Sequence, residues 1–175
     1  MDKEKRIKKR VTTISIEPYL AEYITAKYEV DARTGGVKIP SSTDLYFCLW
    51  EQMSKRRANQ PEYKDGNLRI FLPFRKSGVN GTPWKDPAYY NYLSPAAVKE
   101  IENQIRRMFN FELHRILLEN EEFGRKKRNL DVVYEFIRAY KLKSISSDAL
   151  LKNFYRFRHR LRPKQLRKYN KTTVI

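Results

Sequence analysis

The stretch from Ser94 to Glu122, SPAAVKEIENQIRRMFNFELHRILLENEE, carries the clearest helical pattern in the 175-residue chain. Ser94 suits an N-cap, and Pro95 suits the first helical position, where its missing N–H costs nothing and its φ is already set. Val98, Ile101, Ile105, Met108, Phe109, Glu112 and Ile116 then fall on successive turns, and Gly124 marks the stop. Glu100, Glu102, Glu112, Glu119, Glu121 and Glu122 share this helix, and the plain expectation is i,i+4 pairing with Arg106 and Arg115.

Upstream, Val11 to Ile16 is β-branched and alternating, which predicts a strand, and Pro18 opens a helix reaching about Tyr28. This strand-then-helix start is similar to ribbon-helix-helix proteins, but the chain that follows does not continue their pattern. Gly35-Gly36 predicts a turn, Val37 to Ile39 a short strand, and Pro40 its end. Ser41 or Ser42 can cap a helix reaching about Arg57, with Leu45, Leu49 and Met53 on one stripe and Phe47 and Trp50 beside it. Residues 58–66 form a polar loop, Leu68 to Leu72 a third strand, and residues 73–88 a Pro/Gly-rich loop. The fold class expected is α+β, a small three-stranded β element with helices, followed by a helical C-terminal region.

Downstream comes Arg125-Lys126-Lys127-Arg128, after which Asn129 can cap a helix from Leu130 to about Leu142, with Val133, Phe136, Ile137 and Tyr140 inward. Lys143 to Ser146 reads as a four-residue turn. Ser146 or Ser147 can cap a last helix running to Arg162, stopped by Pro163. In it, Leu150, Phe154, Phe157 and Leu161 form one apolar stripe. Lys152, Tyr155, Arg156, His159 and Arg162 lie opposite, with Arg158 and Arg160 on the flanks.

Charge divides the chain more sharply than hydrophobicity does. The formal net charge is +17, from 37 basic and 20 acidic residues. Residues 1–12 hold six basic and two acidic residues, residues 125–175 hold sixteen and three, and residues 13–124 balance at fifteen each. Four regions follow: a basic N-terminal arm (1–12), a charge-neutral α+β body (13–124), a basic helix-turn-helix-like region (125–162) and a basic tail (163–175). A neutral body with cationic ends is what phosphate binding requires, because each neutralised phosphate releases counterions. Charge for solubility alone would be dispersed.

Much chemistry is excluded by inventory. One cysteine, Cys48, allows no intramolecular disulfide and no cysteine-based zinc cluster, and His114 and His159 form no paired motif. Tyr89-Tyr90-Asn91-Tyr92 lacks the histidine or arginine set a tyrosine nucleophile needs, so core or stacking roles are expected. Trp84 could stack on a base, but plugging a core edge is the plainer expectation. No phosphate-binding loop, dinucleotide fingerprint or zinc deaminase motif occurs. The expectation is a protein that is not an enzyme and uses no cofactor or metal. The absence of an apolar leader or span predicts a soluble, intracellular protein without a membrane partner.

Two helices joined by a short turn, the second bearing cations, form the arrangement of a helix-turn-helix. Asn129 to Arg162 resembles the terminal helix-turn-helix of phage and mobile-element regulators, differing in a longer turn without glycine. The stretches IPSSTDLYFCLWEQM (39–53) and YNYLSPAAV (90–98) are similar to small basic proteins of bacterial mobile elements or phages. The resemblance implies a regulator or accessory factor that binds double-stranded DNA in the bacterial cytoplasm, at the nucleoid, with other proteins possible in a larger nucleoprotein assembly. Ser147, Asp148 and Lys152 would then meet base edges while later cations grip phosphates. The candidate nucleic-acid-binding residues are Lys8, Lys9, Arg10, Arg125, Lys126, Lys127, Arg128, Ser147, Lys152, Tyr155, Arg156, Arg158, His159, Arg160, Arg162, Lys164, Arg167 and Lys168. Two alternatives stand beside DNA: structured RNA threaded by the basic arms, and a structural or assembly protein with acidic protein partners.

Overall fold

The computed structural model describes residues 10–60, 65–74 and 84–161. In chain order these form β1 (Val11–Ile14), α1 (Pro18–Lys27), α2 (Asp44–Gln52), β2 (Leu68–Phe71), α3 (Pro95–Glu122), α4 (Asn129–Ala139) and α5 (Ser147–Leu161). The class is α+β, with five helices and a two-stranded antiparallel sheet among the described residues.

Helix α3 begins and ends where the sequence places it, with Ser94 Oγ accepting from Ala97 N at 3.1 Å. Ala97, Ile101, Ile105, Phe109, Leu113 and Leu117, each four residues from the last, are buried. A step of four overshoots the helical turn by about 40°, so the buried face winds around the helix. That winding lets one helix serve two sides: α1 and α2 pack on it, and so do α4 and α5. The expected stripe is shifted accordingly. Val98, Met108 and Ile116 are only partly buried, while Leu113 and Leu117 join the core. A continuous core runs from Ile14, Leu20 and Leu68 to Val133, Leu150 and Phe154.

The strand expected at Val37–Ile39 does not form. Val37 alone docks on β2, donating to Arg69 O at 2.8 Å and accepting from Phe71 N at 3.0 Å. Ile39 is buried in the core and Pro40 has no N–H to extend a ladder, so pairing stops at one residue. Helix α2 is also shorter than expected. Thr43, not a serine, supplies the cap, and the helix ends at Gln52 because Met53 turns extended and Ser54 pairs with Tyr92. Lys85 Nζ then donates to the carbonyls of Trp50, Glu51 and Met53 at 2.8–2.9 Å and closes that end.

The C-terminal helix pair departs from the four-residue turn. Helix α4 stops at Ala139, and seven residues, Tyr140 to Ser146, lead to α5. Lys141 adopts φ 51°, with Leu142 N donating to Ile137 O and Lys141 N to Arg138 O. This is the Schellman pattern that usually employs glycine. Ser146 Oγ accepts from Ala149 N at 3.2 Å at the start of α5. Asn129 is no cap, since Arg128 occupies that position.

Candidate nucleic-acid interface

Helix α5 is seated by two apolar residues and one polar chain. Leu150 and Phe154 are fully buried, Phe157 is half-buried, and Leu161, expected on the same stripe, is 55% exposed. His114 of α3 stacks on Phe157 with ring centroids 4.0 Å apart and planes 14° apart. Its Nε2 lies 2.6 Å from Asn153 Oδ1, and Asn153 Nδ2 donates to Asn110 Oδ1 at 3.1 Å. Because the amide nitrogen of Asn153 is used on Asn110, its oxygen accepts and His114 Nε2 carries the proton. Burial pushes the His114 pKa down, the positive Arg160 adds to this, and the Asn153 bond opposes both. The connection before α5 is pinned to α1, where the Glu22 carboxylate accepts from Lys143 N at 2.7 Å, Ser144 N at 3.2 Å and Ser144 Oγ at 2.6 Å.

Two grooves meet on the outer face of this helix. The first is lined by Lys152, Tyr155, Arg156, His159 and Arg160. These fall at helical spacing on one side, as the periodicity predicts. The second is lined by Arg125 to Leu130, Leu151, Tyr155 and Arg158. Tyr155 borders both, so the basic loop after α3 and the basic face of α5 form one surface.

Its cations are of two kinds. Arg125 pairs with Glu121 at 3.3 Å, Lys127 with Glu135 at 2.6 Å, Arg128 with Asp131 at 3.0 Å and Arg158 with Glu121 at 2.5 Å. Lys126, Lys152, Arg156 and Arg160 have no ion-pair partner among the described residues. Exposed pairs such as Arg128–Asp131 add little to stability, but a phosphate has to displace the carboxylate before it can use the cation. Arg158–Glu121 is different, because the Glu121 side chain is only 7% exposed.

Glu121 and its neighbour Asn120 organise the loop. Glu121 Oε1 accepts from Arg158, Arg125 and Asn129 Nδ2, the last at 2.9 Å. Burial raises its pKa, but the Asn129 and Arg158 hydrogen bonds and the charges of Arg158 and Arg125 outweigh that and hold the carboxyl below its usual range. Asn120 Nδ2 donates to Lys127 O and Asn129 Oδ1, and its Oδ1 accepts from Lys127 N. The pairing expected for the carboxylates of this helix is with Arg106 and Arg115; Glu121 instead meets Arg125 and Arg158, and Arg158, 37 residues downstream, comes near only through the reversal at Gly124.

Some expected site residues lie elsewhere. Arg10 closes the sheet: its carbonyl accepts from Leu72 N at 2.7 Å and its guanidinium sits 4.9 Å from the Phe74 ring centroid. Ser147 is half-buried at the start of α5 and lines neither groove. Lys8, Lys9, Arg162, Lys164, Arg167 and Lys168 lie outside the described residues. Trp84, expected to plug a core edge, is 51% exposed. Tyr89 is also exposed, whereas Tyr92 is buried.

No protein-family model matches the chain, and no curated protein or solved structure matches it either. Among the described residues, no three His, Cys, Asp or Glu side chains could hold a metal ion together, and no helix is long and apolar enough to cross a membrane.

Proposed function

We propose that this protein binds nucleic acid without catalysing a reaction, gripping the sugar-phosphate backbone with α5 and the loop after α3. The observation that carries this reading is the outer face of α5. There Lys152, Arg156 and Arg160 lie on one side of the helix with no acidic partner among the described residues, while the loop cations other than Lys126 are paired with carboxylates. A helix face with unspent positive charge attracts polyanions, and the gain comes from counterion release. Double-stranded DNA is the leading ligand because the sequence from Asn129 to Arg162 resembles a helix-turn-helix, although seven residues rather than four join the two helices, and a regulator or accessory factor of a mobile element or phage is the corresponding role. The chemistry favours backbone contact over base readout by the first turn of α5. Asp148 in that turn repels phosphates, and Glu22 holds the preceding segment against α1.

The reading is tested by binding to a duplex of mixed sequence at increasing salt. Lys126, Lys152, Arg156 and Arg160 together give a log–log slope of at least about −3.5. Replacing Lys152, Arg156 and Arg160 with Ala should lower affinity by roughly one to two orders of magnitude and flatten the slope by two to three. A flat salt response in the parent protein sinks nucleic-acid binding and leaves an acidic protein partner as the reading to pursue.

A further inference from the structure

We infer that the groove beside the loop takes an unpaired nucleobase from a strand whose phosphates lie on α5, so single-stranded nucleotides in or beside a duplex add to the affinity that the phosphates supply. This rests on the nucleic-acid reading above and deepens it by naming the form of the ligand. The two grooves share Tyr155 but differ in chemistry. On α5, the cations are free of acidic partners among the described residues and suit phosphates. Beside the loop, Lys126 has no ion-pair partner among the described residues, but Arg125, Lys127, Arg128 and Arg158 are engaged by Glu121, Glu135 and Asp131, so a phosphate gains less from those four.

What the loop groove does offer is an apolar and aromatic wall, Leu130, Leu151 and Tyr155, rimmed by hydrogen-bond donors. A nucleobase needs that combination, a flat apolar surface for its face and polar groups for its edge. The Tyr155 ring is 41% exposed, and the Arg158 guanidinium lies 4.8 Å from its centroid. Glu121 fixes that guanidinium at 2.5 Å, so ring and cation are in place before any ligand arrives. A duplex keeps its base faces stacked inside and cannot present one to Tyr155. A single strand can, and an aromatic ring beside a cationic track is how such strands are held without sequence preference.

The test uses a single-stranded DNA oligonucleotide carrying 2-aminopurine and a duplex of equal length, at one salt concentration. Stacking on Tyr155 should quench the 2-aminopurine fluorescence. Tyr155→Ser should weaken single-strand binding roughly tenfold and duplex binding less than twofold, while Tyr155→Phe keeps the quenching. Tyr155→Leu retains the apolar volume without the flat ring, and it should show the same contrast if the serine variant folds poorly. Equal losses on both ligands, or an unchanged single-strand affinity, overturn the inference while leaving phosphate binding intact. If instead the triple alanine variant at Lys152, Arg156 and Arg160 binds both ligands like the parent, the underlying nucleic-acid reading is what has failed.

Discussion

Glu112 and Glu121 sit two and a half turns apart on α3, and each is the point where side chains from other elements converge. Around Glu112, Tyr23 Oη donates at 2.5 Å, Lys27 Nζ at 2.6 Å, and Tyr140 Oη donates as well. The surroundings are aromatic: Phe109 packs edge-on to Tyr23 at 5.2 Å and to Phe136 at 5.4 Å, and Phe136 meets Tyr140 at 4.8 Å. Around Glu121, the donors are Arg158, Arg125 and Asn129, and the surroundings are the basic loop. The same group on the same helix thus joins α1 and α4 to the core in one place and arranges a cationic surface in the other. What separates the carboxylate in the core from the one beside the proposed interface is the nature of its donors. Phenols have little to offer a phosphate, whereas guanidiniums held in register do.

The largest expected effect falls on the structural side. Glu112→Ala leaves two phenols and an ammonium without their acceptor and should lower unfolding free energy by about 2–4 kcal/mol in urea titrations. Salt-dependent binding of the folded fraction should not change. The pH response has a definite sign. Burial raises the Glu112 pKa, but bonds from Lys27, Tyr140 and Tyr23 outweigh it, so the folded value lies below the ordinary one. A depressed carboxylate contributes its full stability above the unfolded value, about 4.3, and loses it as pH falls through the folded value. Glu22 and Glu121 act in the same direction. The acid-induced loss should therefore persist in Glu112→Gln but be shallower, by up to about 1.4 kcal/mol per pH unit. Parallel acid limbs would show that Glu112 titrates alike in both states and break the comparison.

At the proposed interface the effect is smaller and its direction is diagnostic. Glu121→Gln removes a negative charge from a cationic surface, which by charge alone should tighten binding to a polyanion. If Glu121 instead acts by positioning Arg158 and Arg125, the neutral amide holds them less firmly and affinity should fall about three- to tenfold. The measurement is duplex affinity at fixed salt, with thermal unfolding as a control on folding. Tighter binding would mean that Glu121 merely neutralises the site.

The two carboxylates also show what could be read from the chain. The periodic pattern of α3, its serine cap and its proline start are local features, and the structure follows them to the residue. The cationic side of α5 was legible for the same reason, since Lys152, Tyr155, Arg156 and His159 repeat at helical spacing. The partners of Glu112 and Glu121 were not, because Tyr23 lies 89 positions from Glu112 and Arg158 lies 37 from Glu121. No periodicity encodes such pairings; they depend on how whole helices cross. Val37 failed as a strand for a related reason. Its β-branched sequence is suitable, but burial of Ile39 and the missing N–H of Pro40 decide how many residues can pair.

The smallest effect concerns the helix ends beside the two carboxylates. Helix α3 closes after Glu121 with Gly124 at φ 86°, and Arg125 N donates to Asn120 O. Helix α4 closes at Tyr140, a donor to Glu112, and there the left-handed position falls to Lys141 at φ 51°. A side chain in that conformation is strained by about 1 kcal/mol, because Cβ crowds the following carbonyl. Lys141→Gly removes the strain but lets the unfolded chain explore more conformations, which offsets part of the gain. The net change should be a stabilisation below about 1 kcal/mol, or up to roughly 3 °C in Tm for a domain of this size. Lys141 lines neither groove, so duplex affinity should stay within twofold. A loss of stability would mean that the Lys141 side chain contributes a contact worth more than the strain it causes. A loss of binding would carry the cationic surface around the end of α4 to the side of the molecule that Glu112 holds together.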